Sequence, residues 1–152
     1  VFDDPLTYGL NGLWMVEPII SSHNPIDLVM IMLGTNDCKG YFGVTARNIA
    51  EGMRRLVLQV QFLGIKNILI VTPLNIDPQI YNTDTAAVMG KGCSEKSVLL
   101  NDYYKALVNE LHIDHLNAND FTIANTIDFM HFDKASQERF ARGVGKKIKT
   151  IV

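Results

Sequence analysis

The chain is poor in the residues that anchor several common function classes. It has two cysteines, Cys38 and Cys93, far apart and in no Cys-X-X-Cys or Cys/His spacing, so they read as reduced thiols and give no structural zinc site. It has little excess charge: fourteen Lys plus Arg against sixteen Asp plus Glu leave a net charge of -2. That offers no electrostatic footprint for nucleic acid or for an anionic membrane, and fits a small neutral substrate better. No apolar run approaches the roughly 20 residues needed to span a bilayer, and no signal peptide is visible, so the expectation is a cytoplasmic protein without a membrane span. What is present is ordinary globular material, 47% hydrophobic and 20% charged, in a length of 152 residues that suits one domain or part of one.

The pattern of apolar runs alternates strand and helix. Residues from about 11 to 23 place Leu13, Trp14, Val16, Ile19 and Ile20 near helical spacing, after an irregular opening rich in Asp, Pro and Gly. Ile26 to Leu33 is a nearly unbroken apolar run ending at Gly34, as in a parallel strand buried on both faces. A helix is expected over 45–62, with Ile49, Met53, Leu56, Val57 and Val60 on one face and Gly64 as its stop. A second buried strand follows over 67–73. The stretch from Leu74 to Gly92 is long for a structureless connection and reads as a lid. A helix over 94–111, a short strand over 112–116, a helical turn near 120–124 and a last helix over 134–151 capped by Asp133 complete the chain. The alternation predicts an α/β fold with a parallel sheet, a single domain over 1–152.

Polar residues just past such strands sit where α/β proteins place their chemistry. Acyl transfer from an ester needs a nucleophile, a base, a group that orients the base, and donors for the oxyanion. Asp128 precedes His131 by three residues in a loop leading into a helix. That carboxylate can bend back to the imidazole Nδ1 and leave Nε2 facing a nucleophile. Asn36, just past the strand end, can donate its amide hydrogen to a developing oxyanion. Gly34 lets the backbone turn there and leaves room for substrate. Tyr41 and Phe42 either line the acyl or alcohol pocket or pack as core aromatics. Asp37 reads as a brace for its loop, Cys38 as a small buried hydrophobe, and Trp14 and the methionines as core. His112 and His115 flank Asp114, but alternate strand faces keep them from converging on a metal. The serines are poorly placed: Ser21 and Ser22 at a helix end, Ser94 and Ser97 at a helix start, and Ser136 early in the last helix. None has a strand-to-helix elbow of the Gly-X-Ser-X-Gly kind.

With these residues in view, the sequence resembles the SGNH or GDSL family of serine hydrolases. Leu33-Gly-Thr-Asn-Asp37 is similar to that family's third block and Asp128-Phe-Met-His131 to its fifth. Leu10-Asn-Gly, Ile31 to Asp37 and His131-Phe narrow the likeness to the arylesterase and acyltransferase branch, which acts on short acyl esters. The resemblance implies a three-layer α/β/α domain with a doubly wound, flavodoxin-like parallel sheet. It implies Asn36 as the oxyanion-hole asparagine, His131 as general base and Asp128 as its orienting acid, with no metal or organic cofactor. The family's first block, a Gly-Asp-Ser turn, and its second-block glycine have no counterpart in this sequence. Both lie upstream in the family, and the chain begins at Val1 rather than at a Met.

The expectation is therefore the larger, C-terminal part of such a domain, inactive alone, with the nucleophile serine and the first two strands supplied by an N-terminal segment, a second chain or a swapped partner. Without them the strand over 26–33 leaves an apolar edge open, which favours association, as in a homo-oligomer. Two other readings stand beside the esterase. One is a catalytically inactive relative that binds a ligand or partner. The other is a flavodoxin-like nucleotide binder, which the lack of any Gly-rich phosphate loop after a strand argues against.

Overall fold

A computed structural model describes residues 10–152; the irregular opening expected before Leu10 lies outside the described residues. Among these residues three strands form one parallel sheet in the order β1 (Val29–Ile31), β2 (Ile68–Thr72), β3 (Asp114–Asn117). Its helices are α1 (Gly12–His23), α2 (Ala46–Phe62), α3 (Thr85–Met89), α4 (Cys93–Leu111) and α5 (Lys134–Ile148).

β2 is the centre of the molecule, and all five of its residues are buried. Side chains alternate across a strand, so its two faces feed two cores. Ile68 and Ile70 join Ile31 and the apolar faces of α2 and α4, with Met53, Val57, Leu100 and Leu107 among the buried members. Leu69 and Val71 turn the other way, onto Phe140 and the partly buried Val144 and Ile148 of α5. The result is the expected α/β/α layering, and each fully buried Ile, Leu or Val contributes about 1.5–3 kcal/mol. α2 starts on a capping box: Thr45 Oγ1 accepts from Asn48 N–H, and Asn48 Oδ1 accepts from Thr45 N–H. Asp133 Oδ1 accepts from Ser136 N–H and so caps α5 as the sequence suggests.

Three local expectations differ. The strand expected to be buried on both faces is three residues long and lies at the sheet edge, with Met30 43% exposed. Met30 points to the α5 side, where among the described residues α5 packs over β2 and β3 and does not reach it. Trp14 is 70% exposed instead of core, because α1 rests on α2 through Leu13, Val16 and Ile20 and turns Trp14 outward. The stretch from Leu74 to Gly92 is not structureless. It folds as a 3₁₀ turn over Pro78–Asn82 followed by α3, pinned by the fully buried Ile76, Ile80 and Met89.

Candidate active site

The loop after β1 is braced by its surroundings. Leu33 leads into Gly34, whose φ of 131° is a conformation that side chains rarely adopt. A Cβ on Gly34 would stand 2.7 Å from the hydroxyl of Tyr104 on α4. That hydroxyl donates to Leu33 O at 3.0 Å, and Tyr104 is fully buried. Burial, with Asp37 and Cys38 nearby, pushes the phenol far above its ordinary range, so it stays protonated and able to donate. The chain then makes a short 3₁₀ turn, Asn36–Cys38, with Asp37 and Cys38 buried beneath it. Burial pushes the Cys38 thiol up to about 12, which leaves it an inert filler and no nucleophile. α4 holds the far end as well: Lys96 Nζ donates to Lys39 O at 3.2 Å. Gly40 lies against the backbone of Gly90 and Lys91, close enough that a side chain on it would press on Lys91.

The loop before α5 is built from its own side chains. Asp128 Oδ1 accepts three hydrogen bonds of 3.0 Å, from Asn125 Nδ2, Met130 N–H and His131 N–H. Its other oxygen, Oδ2, is left for the imidazole and lies 2.8 Å from His131 Nδ1. Burial pushes the Asp128 carboxyl up, but the His131 side chain and the loop amides together outweigh it and hold the carboxyl down to about 2. An ionised carboxylate only accepts, so Nδ1 carries the shared hydrogen, and in the neutral ring the lone pair is then on Nε2. Phe129 sits at a φ of 63°, an uncommon conformation for a bulky residue. Its carbonyl accepts from Asp77 N–H at 2.9 Å, which ties this loop to the start of the 3₁₀ turn over Pro78–Asn82.

The two loops face each other across a cleft of about 460 Å³, lined by Gly34, Asn36 and His131 together with Leu33, Phe42, Leu74, Met130 and Phe132. His131 is 63% exposed at its side chain and Asp128 half that, so the ring faces the opening while its partner is shielded. Phe42 is part of the lining; Tyr41 is not, and packs on Phe42 with ring centroids 4.6 Å apart. Asn125, Tyr104 and the Leu74 and Met130 walls carried no role in the sequence reading. Asn125 had a local signal, an Asn three residues before an Asp in a polar loop. Tyr104 had none, since its partner Leu33 is 71 residues away.

No serine lines this cleft among the described residues. Ser94 Oγ donates to Ile76 O, Ser97 Oγ donates to Ser94 O, and Ser136 is buried against Thr122 and Arg139. Ser22 Oγ lies 2.9 Å from His23 Nδ1 at the exposed end of α1, but it donates to Ile19 O, and the His23 ring nitrogen is also 2.9 Å from Ile19 O. Of the two histidines and the acid between them, Asp114 is engaged with Lys147 and His115 Nε2 lies 2.8 Å from Thr72 Oγ1.

No family model and no curated protein matches the sequence. Solved structures do. An aryl esterase from M. smegmatis superposes with a TM-score of 0.91 at 29% identity, over 99% of this chain and 73% of that one. A carbohydrate acetylesterase from Sinorhizobium meliloti does so with a TM-score of 0.90 at 32% identity, again over 99% and 73%. A member of the lipolytic G-D-S-L family from Veillonella parvula, at 14% identity and a TM-score of 0.62, shares the fold alone. With the layered parallel sheet, the two loops at one cleft and these matches in hand, the chain belongs to the SGNH/GDSL family of hydrolases.

Proposed function

We propose that this chain carries the base, its orienting carboxylate and an oxyanion donor of a serine esterase acting on short acyl esters, with the nucleophile serine contributed from outside these 152 residues. The observation that carries the reading is the 2.8 Å contact between Asp128 Oδ2 and His131 Nδ1, with the imidazole open to a cleft that Asn36 and Gly34 also line. In this mechanism His131 Nε2 takes the serine proton as Oγ bonds to the ester carbonyl carbon. Asn36 Nδ2 donates to the oxygen that becomes negative, an interaction worth about 3–4 kcal/mol in comparable sites. The tetrahedral adduct collapses, the alcohol leaves with the proton held by His131, and a water deprotonated at Nε2 then releases the acid. The mainly apolar lining suits a short acyl chain, and the similar proteins, an aryl esterase and a carbohydrate acetylesterase, handle esters of two different alcohol types.

The side of β1 that no strand covers among the described residues, with Met30 exposed beside it, is where a further parallel strand carrying the serine would pair. Fluorophosphonate treatment of the purified full-length protein, read by intact and peptide mass, tests the whole scheme. A single label on a serine outside this sequence is the expected result. A label on Ser21, Ser22, Ser94, Ser97 or Ser136 would displace the nucleophile assignment, and no label at all would favour a non-catalytic module that uses the cleft for binding.

A further inference from the structure

Asn125 makes five hydrogen bonds within the loop that carries Asp128 and His131. Its Oδ1 accepts from Ile127 N–H at 2.7 Å and from Asp128 N–H at 3.0 Å. Its Nδ2 donates to Asp128 Oδ1 and to His131 O, both at 3.0 Å. Its own N–H donates to His131 O at 2.8 Å. One half-buried side chain therefore touches the backbone on both sides of the pair and the carboxylate itself.

The two ends of the amide do different work. The Oδ1 end shapes the turn, a job an Asp in the same place would do equally well. The Nδ2 end does something a turn does not require. It takes up lone-pair capacity on Asp128 Oδ1 alongside the Met130 and His131 amides, so that Oδ2 is the oxygen left over for the imidazole. It also holds the His131 carbonyl, which fixes where the ring leaves the main chain. A carboxylate with one oxygen fully engaged cannot rotate to offer the other face.

We propose that Asn125 is a positioning residue for the reaction: through Nδ2 it fixes which oxygen Asp128 presents and the direction in which His131 leaves the backbone, without touching substrate. This rests on the reading of Asp128 and His131 as acid and base.

The decisive variant is Asn125→Asp, which keeps the acceptor for the turn and replaces the donor with a second acceptor facing Asp128. Two readouts on the full-length protein are needed: steady-state hydrolysis of p-nitrophenyl acetate, and the downfield proton resonance of the His131 imidazole Nδ1–H, assigned by its loss in His131→Ala. The expected result is a kcat lower by about 10- to 100-fold with KM within about twofold, the size of effect that small misplacement of a reacting group produces. The imidazole resonance moves or broadens in step. Asn125→Ala should show the same loss in the wild-type background and a clearly smaller further loss when combined with Asp128→Ala, because the part of its effect that passes through Asp128 is then already gone and only the hold on the His131 carbonyl remains. A wild-type kcat and an unmoved resonance in Asn125→Asp would reduce Asn125 to a turn former. So would an Asn125→Ala loss undiminished in the Asp128→Ala background. If the wild-type protein does not hydrolyse the ester, the esterase reading falls, and the resonance alone still decides whether Asn125 positions the pair.

Discussion

The two loops that meet at the cleft are held in opposite ways. The 125–133 loop is wired by side chains within itself, Asn125, Asp128 and Asp133, in a half-exposed setting. The 33–40 loop is wired from α4: Tyr104 grips its start, Lys96 its end, and Asp37 and Cys38 are buried between. A self-wired loop can be retuned with little effect on the rest of the fold. A loop braced from a helix shares the stability of the core it leans on. Substitutions in the first should cost activity and spare stability, whereas substitutions in the braces of the second should cost stability.

The largest expected effect is in the self-wired loop. His131→Ala in the full-length protein should reduce ester turnover by a factor on the order of 10⁴ or more, while its urea midpoint stays near wild type. Retained turnover would overturn the assignment of the base. Asn36→Ala should lower kcat by about 10²- to 10³-fold with little change in KM, the loss of a donor used only when the oxyanion forms. Asn36 is exposed on the cleft side of its braced loop, so it is the one position there where activity should fall without stability.

Gly34→Ala sharpens the contrast, since it must fit a Cβ against the Tyr104 hydroxyl at a φ of 131°. Denaturant titration should show a loss of about 2–4 kcal/mol. Tyr104→Phe alone should cost about 1 kcal/mol by leaving Leu33 O without its donor. Combined, the two should cost less than their sum, because removing the hydroxyl clears the space the new methyl needs. Strict additivity would mean that the backbone conformation alone sets the cost.

The smallest expected effect is on acid stability. The Asp128 carboxyl is held at about 2 in the folded protein, below its ordinary value of 3.8. A depressed carboxyl stabilises the fold above the ordinary value, and that contribution is lost as pH falls through the folded one. Wild type should therefore lose stability relative to Asp128→Asn between roughly pH 4 and pH 2. Parallel midpoint-versus-pH curves for the two proteins over that window would remove the ion-paired picture of the loop.

The contrast also explains what could be read from sequence. The 125–133 loop was legible because its bonds join neighbours: the Asp128–His131 spacing and the Asp133 cap are statements about residues three apart. The helices were legible for the same reason, through periodicity. Tyr104 and Lys96 were not, since nothing in α4 marks which of its side chains will meet a loop 71 and 57 residues earlier. Trp14 and Met30 were misplaced because an apolar residue at helical or strand spacing says only that one face is buried, not whether a neighbour covers the other. The stretch from Leu74 to Gly92 reads as a lid when its turn residues are weighed above Ile76, Ile80 and Met89, whose full burial decides its conformation.

The hydrogen bond from Asp77 N–H to Phe129 O ties the segment just after the cleft residue Leu74 to the residue just before Met130 through main-chain atoms alone. Short of proline at position 77, no substitution deletes it. The frame that sets how far apart those two segments stand is thus independent of the side chains that furnish them. Selection, or a designer, can exchange Leu74, Met130 or Phe132 to suit a bulkier acyl group or a different alcohol while the spacing is inherited unchanged.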